Sequence, residues 1–371
     1  MRLGLGLIGS GFMGKTHALG FLNAGRIFRL PVDVELRTLA DIDSATAARA
    51  AADLGFAGST GNWRDLLSDP AIHIIDITTP NVLHREMALA AIAAGKHVYC
   101  EKPLAPTAAE AWEMTCAAEA AGIKTMVGFN YLKNPLFGLA KEIIASGEIG
   151  TVHSFRGVHA EDYMASPEAP WTWRLDPRGG GGAGADIGSH IVATARYFLG
   201  PIAEVFGDAT TVIADRPTGK GAERRAVEVD DVTRALLRFE SGARGSIEAN
   251  WVASGRKMQH DFEISGSKGA IAFSQERFNE IELYAMGDPA GRRGFRRIFA
   301  GPEHEPYGSF CVAPGHQIGY NDLKTIEVRD FLRAIAGDDR GAIPFREGYE
   351  VQKTVETIYR SSGQQRWLKV A

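Results

Sequence analysis

Between residues 3 and 127 the chain alternates short, nearly uninterrupted apolar runs with longer stretches in which apolar residues recur every three or four positions. Leu3 to Ile8, Val34 to Ala40, Ile72 to Ile77, His97 to Cys100 and Lys124 to Val127 read as strands. Met13 to Ala24, Ser44 to Leu54, Val82 to Ala94 and Thr107 to Ala121 read as helices, the last two stopped by Gly95 and Gly122. Strands that lack polar alternation are buried on both faces, so this part predicts a parallel sheet covered by helices on either side.

After about Asn130 the rhythm changes. A helix over Pro135 to Ser146 leads into an extended stretch, Thr151 to His159, and a loop rich in Pro, Trp and Gly runs on to Gly184. A helix over Ala185 to Leu199 ends at Gly200-Pro201. From Ala203 to Tyr284 strands dominate: Thr233, Ala235, Leu237 and Phe239 alternate with Arg234 and Arg238 before a Ser241-Gly242 turn. Arg216 to Arg225 reads as a polar, exposed connection. Two helical patterns, Asp322 to Ile335 and Tyr349 to Tyr359, close the chain. The expected architecture is α/β, with a dinucleotide-binding domain over residues 1–130. An α+β domain with a large open, mostly antiparallel sheet follows over 131–371, for substrate binding and oligomerisation.

Composition narrows the classes. The 371 residues are 45% hydrophobic and 23% charged, as in ordinary globular chains, and they include 43 glycines, well above the usual roughly 7%, which suggests many tight turns or close backbone approaches. A net charge of -4 without any long Lys/Arg block argues against a nucleic-acid or anionic-membrane surface. Cys100, Cys116 and Cys311 are odd in number and scattered, which fits neither a disulfide framework nor a zinc cage and suits a reducing, cytoplasmic setting. Apolar runs are too short for a membrane helix, and the apolar start passes into a glycine turn rather than a cleavage site.

Two overlapping GxGxxG matches exist, Gly4/Gly6/Gly9 and Gly9/Gly11/Gly14. Only the second lies between a strand and a helix, where glycines let the backbone turn and approach a pyrophosphate at the helix N-terminus. The first lies inside the strand and is assigned to packing. Asp41 ends the second strand, farther from the glycines than the usual roughly 20 residues, the surplus matching a loop from Phe28 to Asp33. There a carboxylate can hold the two ribose hydroxyls, and with no Arg or Lys just after it, it would repel a 2′-phosphate. This favours NAD over NADP. The competing reading makes Asp41 an N-cap of the next helix.

With the glycine turn, Thr78-Thr79-Pro80-Asn81-Val82-Leu83-His84, Glu101-Lys102-Pro103 and Asp186-Ile187-Gly188-Ser189-His190, the chain resembles the Gfo/Idh/MocA oxidoreductases over essentially its whole length. Gly128-Phe129-Asn130-Tyr131 and His159-Ala160-Glu161-Asp162-Tyr163 look most like the inositol dehydrogenases, nearest the scyllo-inositol and L-glucose dehydrogenase branch. The resemblance implies an N-terminal Rossmann domain holding NAD with Gly9, Ser10, Gly11, Phe12, Met13, Gly14, Asp41 and Ile42. It extends that site to Thr78, Thr79, Pro80, Asn81, His84, Glu101, Lys102 and Asn130. It also implies a homodimer or homotetramer.

Carried over from the family, His190 is the general base, Lys102 holds and polarises the reacting hydroxyl oxygen, and Asp186 orients the substrate and balances the lysine. Imidazole, with an ordinary pKa near 6.5, suits proton removal around neutral pH. Asp186 and His190, four apart, would share one helix face, and the glycine run Gly179 to Gly182 would let that helix start approach a ligand. A metal held by the same pair lacks a third ligand nearby in sequence, so none is expected. The loop holding Asp162, Tyr163, Trp171, Trp173, Arg174 and Arg178 offers aromatic faces and hydrogen-bonding groups suited to a cyclic polyol or sugar. Tyr131, His316 and Tyr320 are further candidates for that pocket. The rivals are a glycosidase of the same family using a transient hydride transfer, a sugar-acid dehydrogenase gripped by Arg174 and Arg178, and a non-catalytic cofactor-binding regulator.

Overall fold

The uninterrupted apolar run at the start makes strand β1, Arg2–Ile8, in which every residue after Arg2 is buried. In a computed structural model, which describes residues 2–219 and 223–371, β1 is joined by β2 Asp33–Ala40, β3 Gly58–Thr60, β4 Ile72–Ile77, β5 His97–Cys100 and β6 Thr125–Val127. All pair in parallel, in the order β3-β2-β1-β4-β5-β6. The connections carry α1 Phe12–Ile27, α2 Ser44–Leu54, α3 Asp65–Ser68, α4 His84–Ala93 and α5 Ala108–Ala120. Strand order reverses between β1 and β4, the switch point beyond whose carboxyl ends dinucleotides bind in such sheets. Gly9, Asp41 and Thr78 follow the three strands that meet there. β3 and α3, three and four residues long, are too short for any periodicity to announce them.

The glycines within β1 serve packing, as expected. A Cβ on Gly4 would lie 2.0 Å from the carbonyl oxygen of Ala71, and one on Gly6 would lie 2.7 Å from Leu66.

The second sheet begins after α6, Pro135–Ala145, with β7 Val152–Ala160. Next come α7 Ala183–Asp186, α8 Gly188–Leu199, β8 Ile202–Thr210, β9 Asp215–Pro217, β10 Arg224–Ala226, β11 Val232–Phe239, β12 Arg244–Asn250, β13 Gln259–Gly266, β14 Gly269–Ser274, β15 Glu280–Ala285 and β16 Arg296–Phe299. The large sheet runs β16-β15-β14-β13-β7-β12-β11-β8, antiparallel except for β12 beside β7. Helix α8 covers one face, where Phe137, Phe198, Phe262 and Phe273 form an aromatic core. The single helix expected over 185–199 is two pieces, broken at Ile187.

The connection expected to be polar and exposed over 216–225 is different where it is described; residues 220–222 lie outside the described residues. β9 and β10 form a two-stranded ribbon, and Arg216 is wholly buried. Its two terminal guanidinium nitrogens donate to the carbonyls of Ser166 and Met164, and the group lies 3.6 Å from buried Asp231, so most of its charge is met inside the protein.

The chain then returns through α9 Tyr320–Ile335 and α10 Phe345–Gln364, and β17 Leu368–Lys369 extends the second sheet beyond β8. Contacts divide it into Met1–Lys133 with Gly319–Glu350, and Asn134–Ile318 with Val351–Ala371. This differs from a single boundary after residue 130, because α9 packs on α1, where bare Gly20 lets Val328 approach to 3.1 Å of an added Cβ.

Gly4→Ala is expected to lower unfolding free energy by about 2–3 kcal/mol by overpacking. Gly138→Ala, inside α6 where an added Cβ meets nothing within 4 Å, should raise it by about 0.5–1 kcal/mol. Urea denaturation of both variants checks the pair of signs.

Candidate active site

At the switch point, Gly9 has φ +97°, and a Cβ on Gly14 would fall 2.1 Å from the Gly9 carbonyl oxygen, so both glycines are demanded by the turn itself. Gly11 is different: its φ of -63° suits any residue, and a Cβ there meets nothing within 4 Å. The protein's own packing gives no reason for glycine at that position, whereas a ligand lying close over the turn does. Helix α1 starts there without a capping side chain, leaving its first N–H groups available to an anion.

Asp41 is fixed beside this turn. Its Oδ2 accepts from Ser10 N at 2.8 Å and Ser10 Oγ at 2.5 Å, and its Oδ1 accepts from Ile42 N at 2.7 Å. Asp43, not Asp41, caps α2 by accepting from Thr46 N, which removes the capping explanation. Phe12 and Ile42 flank the turn with unusual exposure for apolar side chains, 69% and 89%. Thr78 Oγ1 lies 3.1 Å from the Ile8 carbonyl oxygen and 2.9 Å from that of Gly9, its single proton shared between them, and holds the turn to β4. Tyr320 lies against Phe12 and Tyr131, with its hydroxyl 3.5 Å from Met13 Sδ, and burial pushes that hydroxyl up to about 12. Asn130 is buried beside Tyr320, whose hydroxyl its side chain meets. An open glycine cradle and an oriented carboxylate together fit a dinucleotide.

Behind the turn is a fully buried charge network that the sequence reading did not anticipate. His17 Nδ1 is 2.9 Å from Asp76 Oδ1 and its Nε2 is 2.7 Å from Glu101 Oε1. Lys324 Nζ donates to Glu101 Oε1 at 3.0 Å and to Glu327 Oε2 at 2.6 Å, and Tyr99 donates to Glu327. Burial would raise Glu101, but Lys324 and the bond from His17 outweigh it and hold the carboxyl well below the usual range. Burial also opposes a charged His17, yet Asp76 and Glu101 raise its proton affinity. Glu101 Oε2 accepts the backbone N–H of Lys102 at 3.1 Å, so the network fixes the chain at the Glu-Lys-Pro segment.

His84 is wholly buried, its ring nitrogens 2.9 Å from Thr79 O and 3.0 Å from Pro103 O. It clamps two loops together and turns no atom to solvent. Thr79, Pro80 and Asn81 form the turn between β4 and α4.

In the second unit, Asp186 closes α7 and His190 lies in the first turns of α8. Asp186 Oδ2 accepts from Tyr163 OH at 3.0 Å and Arg174 Nε at 3.1 Å. The structure therefore joins Asp186, Arg174 and Tyr163, while Trp173 stacks under the Arg174 guanidinium at 4.5 Å. His190 is buried beside two further histidines, with ring centroids 5.6 Å from His159 and 6.4 Å from His260.

Other candidates are engaged elsewhere. Asp162 accepts from Lys257 Nζ at 2.6 Å and Gly255 N at 3.1 Å. Arg178 binds Asp176 through two nitrogens with its side chain 81% exposed. His316 is exposed on a loop. The glycine run serves the protein rather than leaving room for a ligand. A Cβ on Gly181 would meet the Arg174 carbonyl at 2.2 Å, and one on Gly182 would meet Asp230 Oδ1 at 2.1 Å. Asp230 itself accepts from Gly184 N and Tyr359 OH. Among the described residues no group of three or more His, Cys, Asp or Glu is placed to hold a metal ion, and no helix is long and apolar enough to cross a membrane.

Comparison with known proteins agrees with this geometry. The family profile described as "Oxidoreductase family, NAD-binding Rossmann fold" matches residues 3–129, and the GFO/IDH/MocA C-terminal domain matches residues 137–272. A levoglucosan dehydrogenase of Pseudarthrobacter phenanthrenivorans is 40% identical over 387 residues, covering 100% of this chain and 98% of that protein. A solved levoglucosan dehydrogenase in complex with NADH and levoglucosan is 41% identical with a TM-score of 0.95, covering 100% of each chain. A myo-inositol 2-dehydrogenase of Thermotoga maritima is 27% identical over 366 residues, covering 95% and 96%.

Lys324→Met removes the cation shared by two buried carboxylates and is expected to cost about 3–5 kcal/mol at neutral pH. Glu101 is depressed in the folded protein, so its contribution is complete above the unfolded value near 4.3 and fades as pH falls from there toward the folded value. The deficit of the variant is therefore widest at pH 7 and narrows as pH falls through the carboxylate range. Denaturation at pH 7 and pH 3 measures it; an equal deficit at both would contradict the assignment.

Proposed function

The chain belongs to the Gfo/Idh/MocA oxidoreductases, NAD-dependent enzymes acting on CH–OH groups, and from that premise we propose that it oxidises a secondary hydroxyl of a neutral cyclic sugar to the ketone. The substrate we favour is an anhydropyranose such as levoglucosan, with simple pyranoses and inositols as the wider class. The observation that carries the neutral-substrate reading is the pairing of the loop arginines, Arg174 on Asp186 and Arg178 on Asp176. Each guanidinium is already balanced by a carboxylate, which leaves little net field for a sugar acid. The identity of 40% to the anhydrosugar enzyme, against 27% to the inositol enzyme, supports the choice within the neutral class.

In this reading the turn at Gly9, Gly11 and Gly14 with Asp41 would hold NAD, which when bound would supply the hydride acceptor. His190 takes the hydroxyl proton, Lys102 donates a hydrogen bond to that oxygen, and Asp186, held by Tyr163 and Arg174, orients the sugar. Asp41, its carboxylate fixed by Ser10, accepts from the adenosine ribose hydroxyls and excludes a 2′-phosphate. The outer face of the large sheet, where Leu236 stays 50% exposed between Arg234 and Arg238, is read as the surface a second copy covers in a homodimer or homotetramer.

Following NADH absorbance with levoglucosan, D-glucose, inositols and a uronic acid tests the reading. A neutral sugar should exceed the uronic acid at least tenfold in kcat/KM, about 1.4 kcal/mol of transition-state binding. NAD should be preferred over NADP, and Asp41→Ala should narrow that preference. Preference for the uronic acid would overturn the neutral-sugar reading. Glycoside cleavage without net NADH would establish the glycosidase alternative.

A further inference from the structure

The hydrogen bonds around the three buried histidines of the second unit fix where their protons are. Thr194 Oγ1 donates to the His190 carbonyl at 3.0 Å. A hydroxyl has one proton, so at His260 Nε2, 2.9 Å away, the same oxygen must accept. His260 therefore carries hydrogen on Nε2. It is wholly buried, and burial, with His159 beside it, lowers its proton affinity well below the ordinary imidazole value, so its Nδ1 is a bare lone pair. His159 Nδ1 lies 3.3 Å from that lone pair and must be the donor. The other His159 nitrogen, Nε2, faces Glu161 Oε1 at 3.1 Å. A singly protonated His159 would turn a lone pair toward a carboxylate. One more proton belongs between the imidazole and the carboxylate.

We propose that Glu161 and His159 are positioning residues that act through His190: Glu161 holds His159 as an imidazolium, and that charge beside His190 keeps the catalytic ring unprotonated. The proposal rests on the reading of His190 as the base. Within this unit, α7, β7, β13 and β12 bring these described groups to His190. Asp186 precedes it on its own segment and is held by Arg174 and Tyr163. β7 brings His159, and β13 brings the neutral His260. From β12 the buried inward residues are Ile247 and Ala249, both apolar. His159 is thus the cation that the sheet supplies, with its ring centroid 5.6 Å from that of His190. A like charge at that range disfavours protonation of the neighbouring ring.

The test joins a direct and a kinetic readout on the full-length enzyme. Neutron diffraction from the perdeuterated NADH complex should show deuterons on both ring nitrogens of His159 and on Nε2 alone of His260. For the fastest substrate of the panel above, the pH profile of kcat/KM for oxidation should move its acid limb to higher pH by half a unit or more in His159→Gln. Glu161→Gln should move it in the same direction. A singly deuterated His159, or an acid limb unmoved in both variants whatever their overall rate, would overturn the proposal. His190→Ala separates the two readings. If it keeps normal turnover and the same limb, the base assignment fails while the protonation state of His159 is still scored by the neutron map.

Discussion

The carboxylate of Glu101 is buried and charged, and the first unit is arranged around keeping it so. An ion removed from water costs several kcal/mol unless its partners return the energy through short, well-aimed bonds. Here the partners come from distant parts of the chain: His17 from α1, Lys324 from α9, and the Lys102 backbone from the residue that follows. Room is made by Gly128, where a Cβ would lie 2.4 Å from Glu101 Oε1. One carboxylate thereby ties the helix that begins at the glycine turn to the end of β5. It also ties both to a helix some 220 residues later in the chain. The return of residues 319–350 to the first unit is the structural counterpart of that demand.

This dependence explains what the sequence could and could not disclose. The strands of the first sheet announce themselves because each is an apolar run, and the functional turn because its glycines stand between a strand and a helix. Asp76, however, interrupts the otherwise apolar Ile72–Ile77, and a lone carboxylate within a buried strand is a signal that a partner must exist. Nothing in the local pattern says that the partner is His17, or that Lys324 and Glu327 face inward from α9. Periodicity reports which face of an element is buried, whereas a charge network is closed by residues whose separation along the chain carries no period. For the same reason Arg216, in a stretch that reads as solvated, is wholly buried against Asp231 and two loop carbonyls.

Glycine was informative in some places and misleading in others. Gly4 and Gly14 are needed because backbone lies within about two ångströms of where a Cβ would be, and both positions follow from the strand-turn-helix context. The run before Asp186 looked like space for a ligand, but Gly181 and Gly182 give room to the Arg174 carbonyl and to Asp230. A glycine-rich stretch states that something approaches closely; it does not state whether that is a ligand or another part of the same chain. Gly11 is the instructive exception, since its geometry and surroundings ask for nothing, which leaves the close approach to a bound molecule.

Charge is paired locally along the loop that follows β7: Asp162 with Lys257, Arg174 with Asp186, Arg178 with Asp176. Each pair leaves hydrogen-bonding capacity but little net field. On the proposed neutral-sugar reading, discrimination falls to the directions in which hydroxyls must give and accept hydrogen bonds. Such discrimination is steep, because a substrate missing one hydroxyl strands a polar group that has no water to replace it. A rigid ring meets that requirement with little ordering cost, while an open chain of the same composition must first be frozen.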